Sequence, residues 1–444
     1  MIKKEYMLVL VATLLLTACT DILQPPVAYV PTGESVIENL VSQAVIDPRY
    51  DSASEPAVEV AIPEPESLPD PVHIRLQFAG DILLHGGLGA QVGDGTFNYL
   101  PFMWAIAPHI NGDLNLVNME TPVDVFGNNY NISTWPLFNA PFEILDGLMY
   151  AGFNHLITTN NHSLDMGWSG LEASLLNFER AGISQTGMYA TQADFDSHTL
   201  IEVGGGVSHN SHEISEPTGD GILVGVIAYT DSFNGLDSWV PADNWDFAPR
   251  RFRSHVLDDV PAMAQDIADI REAGAELVVV SLHWGAEYVN QPTNTQREIA
   301  RALVDAGADI IMGHHAHVPQ PVEWHVREEG SRGFIMYSLG NFLSDQIALG
   351  IPATQYGMLV TVYAMRDEAG MVSLYDAHVL PTAFVRDGGR TLGSPYSILP
   401  VIDGQVPVAV ASQSLRDWGT RAYNHVRMIV GDEFIYTGAY REQD

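Results

Sequence analysis

Strand-like and helix-like segments alternate through the middle of this chain, and that alternation predicts an α/β fold. Three observations carry the expectation. Seven apolar runs have the length and continuity of strands buried on both faces. Four segments of helical period lie among them, and each closes on Ala-Gly, a helix-stop signal. Polar residues competent for chemistry recur just after the apolar runs, where α/β folds usually place their ligands.

In chain order, the expected strands are "HIRLQFAG" (73–80), "LNLVNME" (114–120), "HLITTNNH" (155–162), "ILVGVIAYT" (222–230), "ELVVVSLHWG" (276–285), "DIIMGHHAH" (309–317) and "GFIMYSLGNF" (333–342). The expected helices are 141–152, 168–182, 260–274 and 294–307. The Gly-rich polar stretch 204–221 reads as a surface loop. Beyond about residue 345 the runs shorten to β-like pieces such as "YGMLVTVYAM", so residues 346–444 are expected to form a small β-rich extension, either completing the main fold or standing as a subdomain.

The N-terminal segment stands apart from this pattern. Lys3 and Lys4 precede an apolar run from Met7 to Leu16, too short to span a bilayer of about 30 Å but suited to a signal peptide. It closes on "LTAC", which resembles a lipobox, and Cys19 is the chain's single cysteine. Residues 1–19 therefore read as a lipoprotein signal peptide with lipidation at Cys19. Residues 20–72 hold nine of the 26 prolines and read as a disordered tether that lifts the domain at 73–345 off the membrane.

Composition narrows the chemistry. The 444 residues are 46% hydrophobic, enough for a large core. Both lysines lie in the signal segment, which excludes lysine Schiff-base and P-loop chemistry from the mature chain. From residue 20 onward, 18 arginines face 54 acids, a net charge of −36. Such a surface repels nucleic acid and anionic lipid headgroups, and an anionic substrate would need arginines or a metal.

The residues that follow the strands suit a metal. They are Asp81 and His85, Asn118 and Glu120, Asn161, His162 and Asp165, His283 and Glu287, then His314, His315 and His317. Carboxylates, an amide and imidazoles without thiolate suit one or two divalent ions such as Mn, Fe, Zn or Mg. Each residue alone reads equally well as a turn, a cap or a hydrogen-bonded surface group. Their order at successive strand ends is what points to a site.

The series "GDILL", "NMETP", "TTNNHSLDMGWSGL", "SLHWGAEY", "GHHAHVPQPVE", "YSLGNF" resembles the CapA family, bacterial proteins tied to poly-γ-glutamate capsule synthesis. The resemblance spans residues 74–345 and implies a metallophosphatase-like β-sandwich flanked by helices, with metals at the strand ends. It implies Asp81, Glu120, Asn161, His283, His315 and His317 as metal ligands and His162 as the residue that protonates a leaving group. His85, Asn118, Asp165, Glu287, His314 and Asn341 are expected behind them. Two positions depart from the phosphatase pattern: its first-strand Asp-x-His has Leu83 in place of the imidazole, and its Gly-Asp-x-x-Asp is replaced by Asn118-x-Glu120.

These features lead to an expected lipid-anchored protein outside the cytoplasm, a metal-dependent hydrolase or transferase acting on poly-γ-glutamate or another envelope polymer. Membrane proteins of polymer synthesis or export are its expected partners. A non-catalytic scaffold or polymer-binding component and an exported metallophosphoesterase are the alternatives.

Overall fold

Period-two patterning inside the apolar runs sorts their side chains onto two buried faces, and that sorting builds the molecule in layers. The computed structural model describes residues 72–89, 97–124, 132–204, 220–386, 388, 394–406 and 412–438, all within one unit, Val60–Asp444. The expected signal segment with Cys19, the tether as far as residue 71, and residues 205–219 of the expected loop lie outside the described residues.

One sheet is ordered β15-β14-β13-β1-β2-β3-β4. Its parallel half is β1 (Val72–Ile82), β2 (Leu114–Met119), β3 (His155–Ile157) and β4 (Ser184–Thr186). Its antiparallel half is β13 (Tyr356–Arg366), β14 (Val372–Arg386) and β15 (Tyr396–Pro400), joined through β13 to β1. The second sheet is ordered β10-β11-β9-β8-β6-β5. Here β6 (Ile222–Thr230), β8 (Leu277–His283), β9 (Ile310–His314) and β11 (Arg332–Met336) run parallel, edged by β5 (Thr199–Val203) and β10 (Val322–Val326). The short β7 (Arg250–Arg251) pairs with β6, and β12 (Asn341–Leu343) pairs with β1.

Ile74, Leu76 and Phe78 of β1 meet Leu277 and Val279 of β8 and Ile310 and Met312 of β9 in one core between the sheets. The alternate residues Val278, Val280 and Leu282 of β8 and Ile311 of β9 face outward, under the helices α3 (Val260–Glu272) and α4 (Asn294–Asp305). On the other side, Val117, Met119 and Leu156 lie under α1 (Glu143–Ala151) and α2 (Gly167–Ala181). The result is a β-sandwich flanked by helices. Each of these four helices is followed by a glycine of positive φ, Gly152, Gly182, Gly274 and Gly307, as the Ala-Gly stops require.

Two expectations need correction. Residues 346–444 also contain a helix, α5 (Gln413–Val430), whose buried Leu415, Ala422, Val426 and Val430 lie on one face against β14. The run 333–342 is not one strand. It breaks between β11 and β12, and the chain crosses from one sheet to the other with Gly340 at φ 70°. The crossing sets Asn341 opposite Asp81 in the β1–β12 ladder. The contact is intimate: a Cβ on Gly80 would stand 1.8 Å from the Gly340 carbonyl oxygen, so only glycine fits there.

At the far end of β3, His155 is fully buried between Ser184 Oγ at 2.8 Å and Thr186 Oγ1 at 2.9 Å. Burial pushes its ionisation down to about 3. The unfolded chain then binds a proton that the folded one refuses, so stability falls as pH drops from about 6.5 towards 3. For this one group the loss is at most about 1.4 kcal/mol per pH unit. His155→Gln is expected to flatten the loss of urea stability between about pH 7 and about pH 4.5 relative to the parent. Equal losses in the two proteins would remove His155 as its source.

Candidate metal centre

The C-terminal ends of β1, β2, β3, β8 and β9 converge, which brings together side chains more than 200 residues apart. Asp81 ends β1 and Glu120 follows β2, and both are fully buried. His283 ends β8, while His315 and His317 lie in the turn after β9. That turn holds both residues at positive φ, 84° and 56°. Two non-glycine residues held there cost of order 1–3 kcal/mol each, a cost that persists where surrounding structure enforces a functional geometry. Tyr288 (φ 65°) and Asn234 (φ 52°) add two more such residues at the rim.

Two groups are spaced to hold metal ions: Glu120 with His283 and His315, and Asp81 with Glu120 and His317, the donor atoms of each lying within 4.8 Å of one another. Glu120 belongs to both. Its Oε1 is 3.2 Å from His283 Nε2 and its Oε2 is 3.8 Å from His317 Nδ1. Neither carboxylate oxygen has a hydrogen-bond partner. A buried carboxylate left so is expensive unless something else neutralises it. Burial, with the carboxylates of Asp81, Glu287 and Asp165, pushes Glu120 well above its ordinary value.

The neighbours are poised as ligands. Burial would raise Asp81, but the imidazoles of His314 and His317 at 3.1 Å outweigh it and hold its carboxyl well below the usual range. Burial, reinforced by His315, keeps His283 well below the ordinary imidazole value. Burial and His317 bring His315 down to about 4. Both rings are therefore neutral at pH 7, the form that binds metal, and they face each other through His315 Nδ1 and His283 Nε2 at 3.1 Å. Buried oxygen and neutral imidazole donors around an unpartnered carboxylate fit divalent ions of the Mn, Fe or Zn kind.

The remaining expected residues fall around these groups. Asn118 donates to Asp81 Oδ1 at 2.7 Å and lies 3.4 Å from His283 Nδ1, so it orients both. His314 has Nδ1 3.1 Å from Asp81 Oδ1, but outside hydrogen-bonding geometry, so both its nitrogens lack hydrogen bonds. Asn161 Oδ1 is buried without a partner while its amide donates to Asn234 Oδ1 at 3.3 Å. His162 Nδ1 is 2.7 Å from Asp165 Oδ2, and the same oxygen accepts the Phe138 backbone N–H at 2.7 Å. His85 lines the cavity with Nδ1 unpartnered and belongs to neither metal group. Glu287 is exposed at the cavity rim, and Asn341 lies 3.1 Å from His317.

Sequence reasoning missed Asn160, whose side chain donates to the Met119 carbonyl at 2.9 Å and accepts the His162 backbone N–H at 3.1 Å. The doubled asparagine of "TTNNH" was the available signal. It also missed the cavity of about 620 Å³ that opens beside the centre. Asn161, His162, His317 and Glu287 line it together with the apolar Trp135, Leu137, Leu236 and Leu349. No arginine is among its described lining residues.

The unpartnered Glu120 has a consequence for stability. An acid whose ionisation is raised by folding costs stability as pH climbs above its unfolded value of about 4.3. Glu120→Gln is therefore expected to stabilise the metal-free protein near pH 7, by about 1–3 kcal/mol. Urea unfolding in chelator checks this. A destabilised variant would mean that a partner for the carboxylate has been overlooked.

Comparison with known proteins adds the lineage. Residues 75–346 match the model of the family described as bacterial capsule synthesis protein PGA_cap. The chain is 28% identical to PGA biosynthesis protein CapA of Bacillus subtilis (strain 168) over 70% of its own length and 74% of that protein. It is 30% identical to capsule biosynthesis protein CapA of Bacillus anthracis over 59% of its length and 57% of the relative. A looser structural likeness, at TM-score 0.40 and 10% identity, is to the NAD nucleotidase of Haemophilus influenzae, covering 83% of this chain and 66% of that one. With the matched segment reaching from β1 past β12 and containing every residue of both metal groups, the chain belongs to the bacterial capsule synthesis protein family PGA_cap.

Proposed function

We propose that this protein is a metal-dependent hydrolase or transferase acting on an envelope polymer, with poly-γ-glutamate as the first candidate, tethered outside the cytoplasm by a lipid on Cys19. The observation that carries the reading is Glu120, buried, unpartnered and shared between two groups of donors. The names of the two Bacillus relatives support the choice of polymer. The lipobox-like "LTAC" supports the location.

Asp81, Glu120, His283, His315 and His317 would hold one or two divalent ions, with Asn161 Oδ1 as a further donor. Bound there, such ions supply Lewis-acid polarisation of a carbonyl and activation of water near neutral pH. His162 opens onto the cavity, and its bond to Asp165 fixes which ring nitrogen can face a substrate. With Nδ1 turned to Asp165, Nε2 is left to take up the proton released by the attacking water and pass it to the departing amine or alkoxide. Asp165 is itself held by the Phe138 backbone, so the imidazole is positioned before substrate arrives.

Electrostatics supports dependence on the ions for binding as well. From residue 20 onward the chain carries −36, and its described cavity wall offers no arginine to a polyanion. A second reading, a polymer-binding component without turnover, is favoured by Leu83, which stands where the phosphatase pattern has an imidazole.

Incubation of the full chain with poly-γ-glutamate and Mn2+, followed by size-exclusion chromatography and assay of new amino termini, separates the two. Catalysis predicts shortened polymer, an activity abolished by chelator, and a His162→Ala variant slower by about a hundredfold or more. Chelator-sensitive polymer retention with no new termini over several metals would instead establish the binding component.

A further inference from the structure

We infer that Asn341 is a metal ligand, its side-chain oxygen filling the place that Leu83 leaves open beside Asp81, Glu120 and His317. The inference rests on the metal reading of the centre proposed above. The carboxamide is buried, and both of its N–H donors are spoken for: Nδ2 donates to Gln346 Oε1 at 2.7 Å and to the Thr354 carbonyl at 2.8 Å. Those two acceptors fix the orientation of the amide, since a flipped group would set oxygen against oxygen. Oδ1 is thereby turned toward His317 Nδ1, 3.1 Å away.

The spacing is that of neighbouring ligands. Donors about 2.1 Å from a common ion and at right angles to each other stand about 3.0 Å apart. Around His317 Nδ1, Asp81 Oδ2 lies at 3.1 Å, Asn341 Oδ1 at 3.1 Å and Glu120 Oε2 at 3.8 Å. Three oxygens thus lie within 3.8 Å of one imidazole nitrogen, and two of them belong with it to a group already spaced to hold an ion. Asp81, Glu120 and His317 each offer one donor to this group, and the Asn341 oxygen would add a fourth.

The fold explains how the residue arrives there. The crossing at Gly340 lays β12 beside β1 and sets Asn341 level with Asp81, where the Gly340 carbonyl accepts the Asp81 N–H at 3.0 Å. A donor delivered from a neighbouring strand would thus stand in for one that Leu83, just beyond the end of β1, does not supply. An amide oxygen is harder and less basic than imidazole, so the exchange shifts this position toward Mn or Mg and away from Zn.

Calorimetric titration of the chelator-stripped full chain with Mn2+, with Co2+ absorption spectra alongside, tests the assignment without any substrate. Thermal unfolding of the stripped proteins checks that the variants fold. In Asn341→Leu, one equivalent is expected to bind as in the parent and the other about tenfold or more weakly, with altered Co2+ bands. Gln346→Leu keeps Asn341 but frees its amide to turn, and is expected to weaken the same equivalent less. It also provides the test if Asn341→Leu does not fold. Unchanged affinities and spectra in the folded variants would overturn the role of Asn341 while leaving the centre itself standing. A parent that binds no metal would overturn both.

Discussion

Two carboxylates buried within reach of each other are the constraint on which the centre depends. Asp81 and Glu120 are fully inaccessible, and no arginine forms an ion pair with either among the described residues. Asp81 is held by Asn118 and His317, whereas Glu120 has near neighbours but no hydrogen bond. A fold does not gain by such an arrangement, because the desolvation of a second carboxylate is not returned by His283 and His315, which burial keeps neutral. The strained turn at His315 and His317 adds to the cost in the same few ångströms. The large apolar cores on either side of the sheets carry that cost, and a cation in the gap would offset it.

The layered fold was legible in the sequence because parallel strands covered on both faces need unbroken apolar runs, and "ELVVVSL" or "DIIMG" admits few other readings. The strand-end residues were legible for a related reason. Parallel strands joined by helices all point their C-terminal ends the same way, so "GD", "NME", "TNNH", "LHW" and "GHHAH" had to meet at one edge of the fold.

What stayed hidden depends on long-range pairing. Nothing local says that "GFIMYSLGNF" divides between two sheets, because an apolar run has the same period whichever sheet receives it. The break is fixed by the backbone of residue 340 packing against Gly80, 260 residues earlier, so closely that no side chain fits at 80. Asn341 was therefore expected only behind the ligands, and its place level with Asp81 appears only once the register is known. The C-terminal helix was obscured differently: its buried residues are outnumbered by arginines and other polar groups, which a reading for apolar runs passes over.

If the proposed polymer is the ligand, the same centre bears on how so acidic a protein would meet it. At a net charge of −35 the surface repels polyglutamate at long range, by a potential that falls off over about 8 Å at physiological ionic strength. Short-range attraction must come from inside that distance. The described cavity wall supplies imidazoles and an apolar face but no guanidinium, and its one carboxylate, Glu287, has the wrong sign. Divalent ions held by Asp81, Glu120 and the histidines would be the concentrated positive charge beside the cavity, which His317 lines. On the proposed reading, a polymer carboxylate and the scissile bond would compete for those ions. A chain end or single residue that enters the cavity is then favoured over the middle of the polymer, where every repeat brings another charge to the repelling rim.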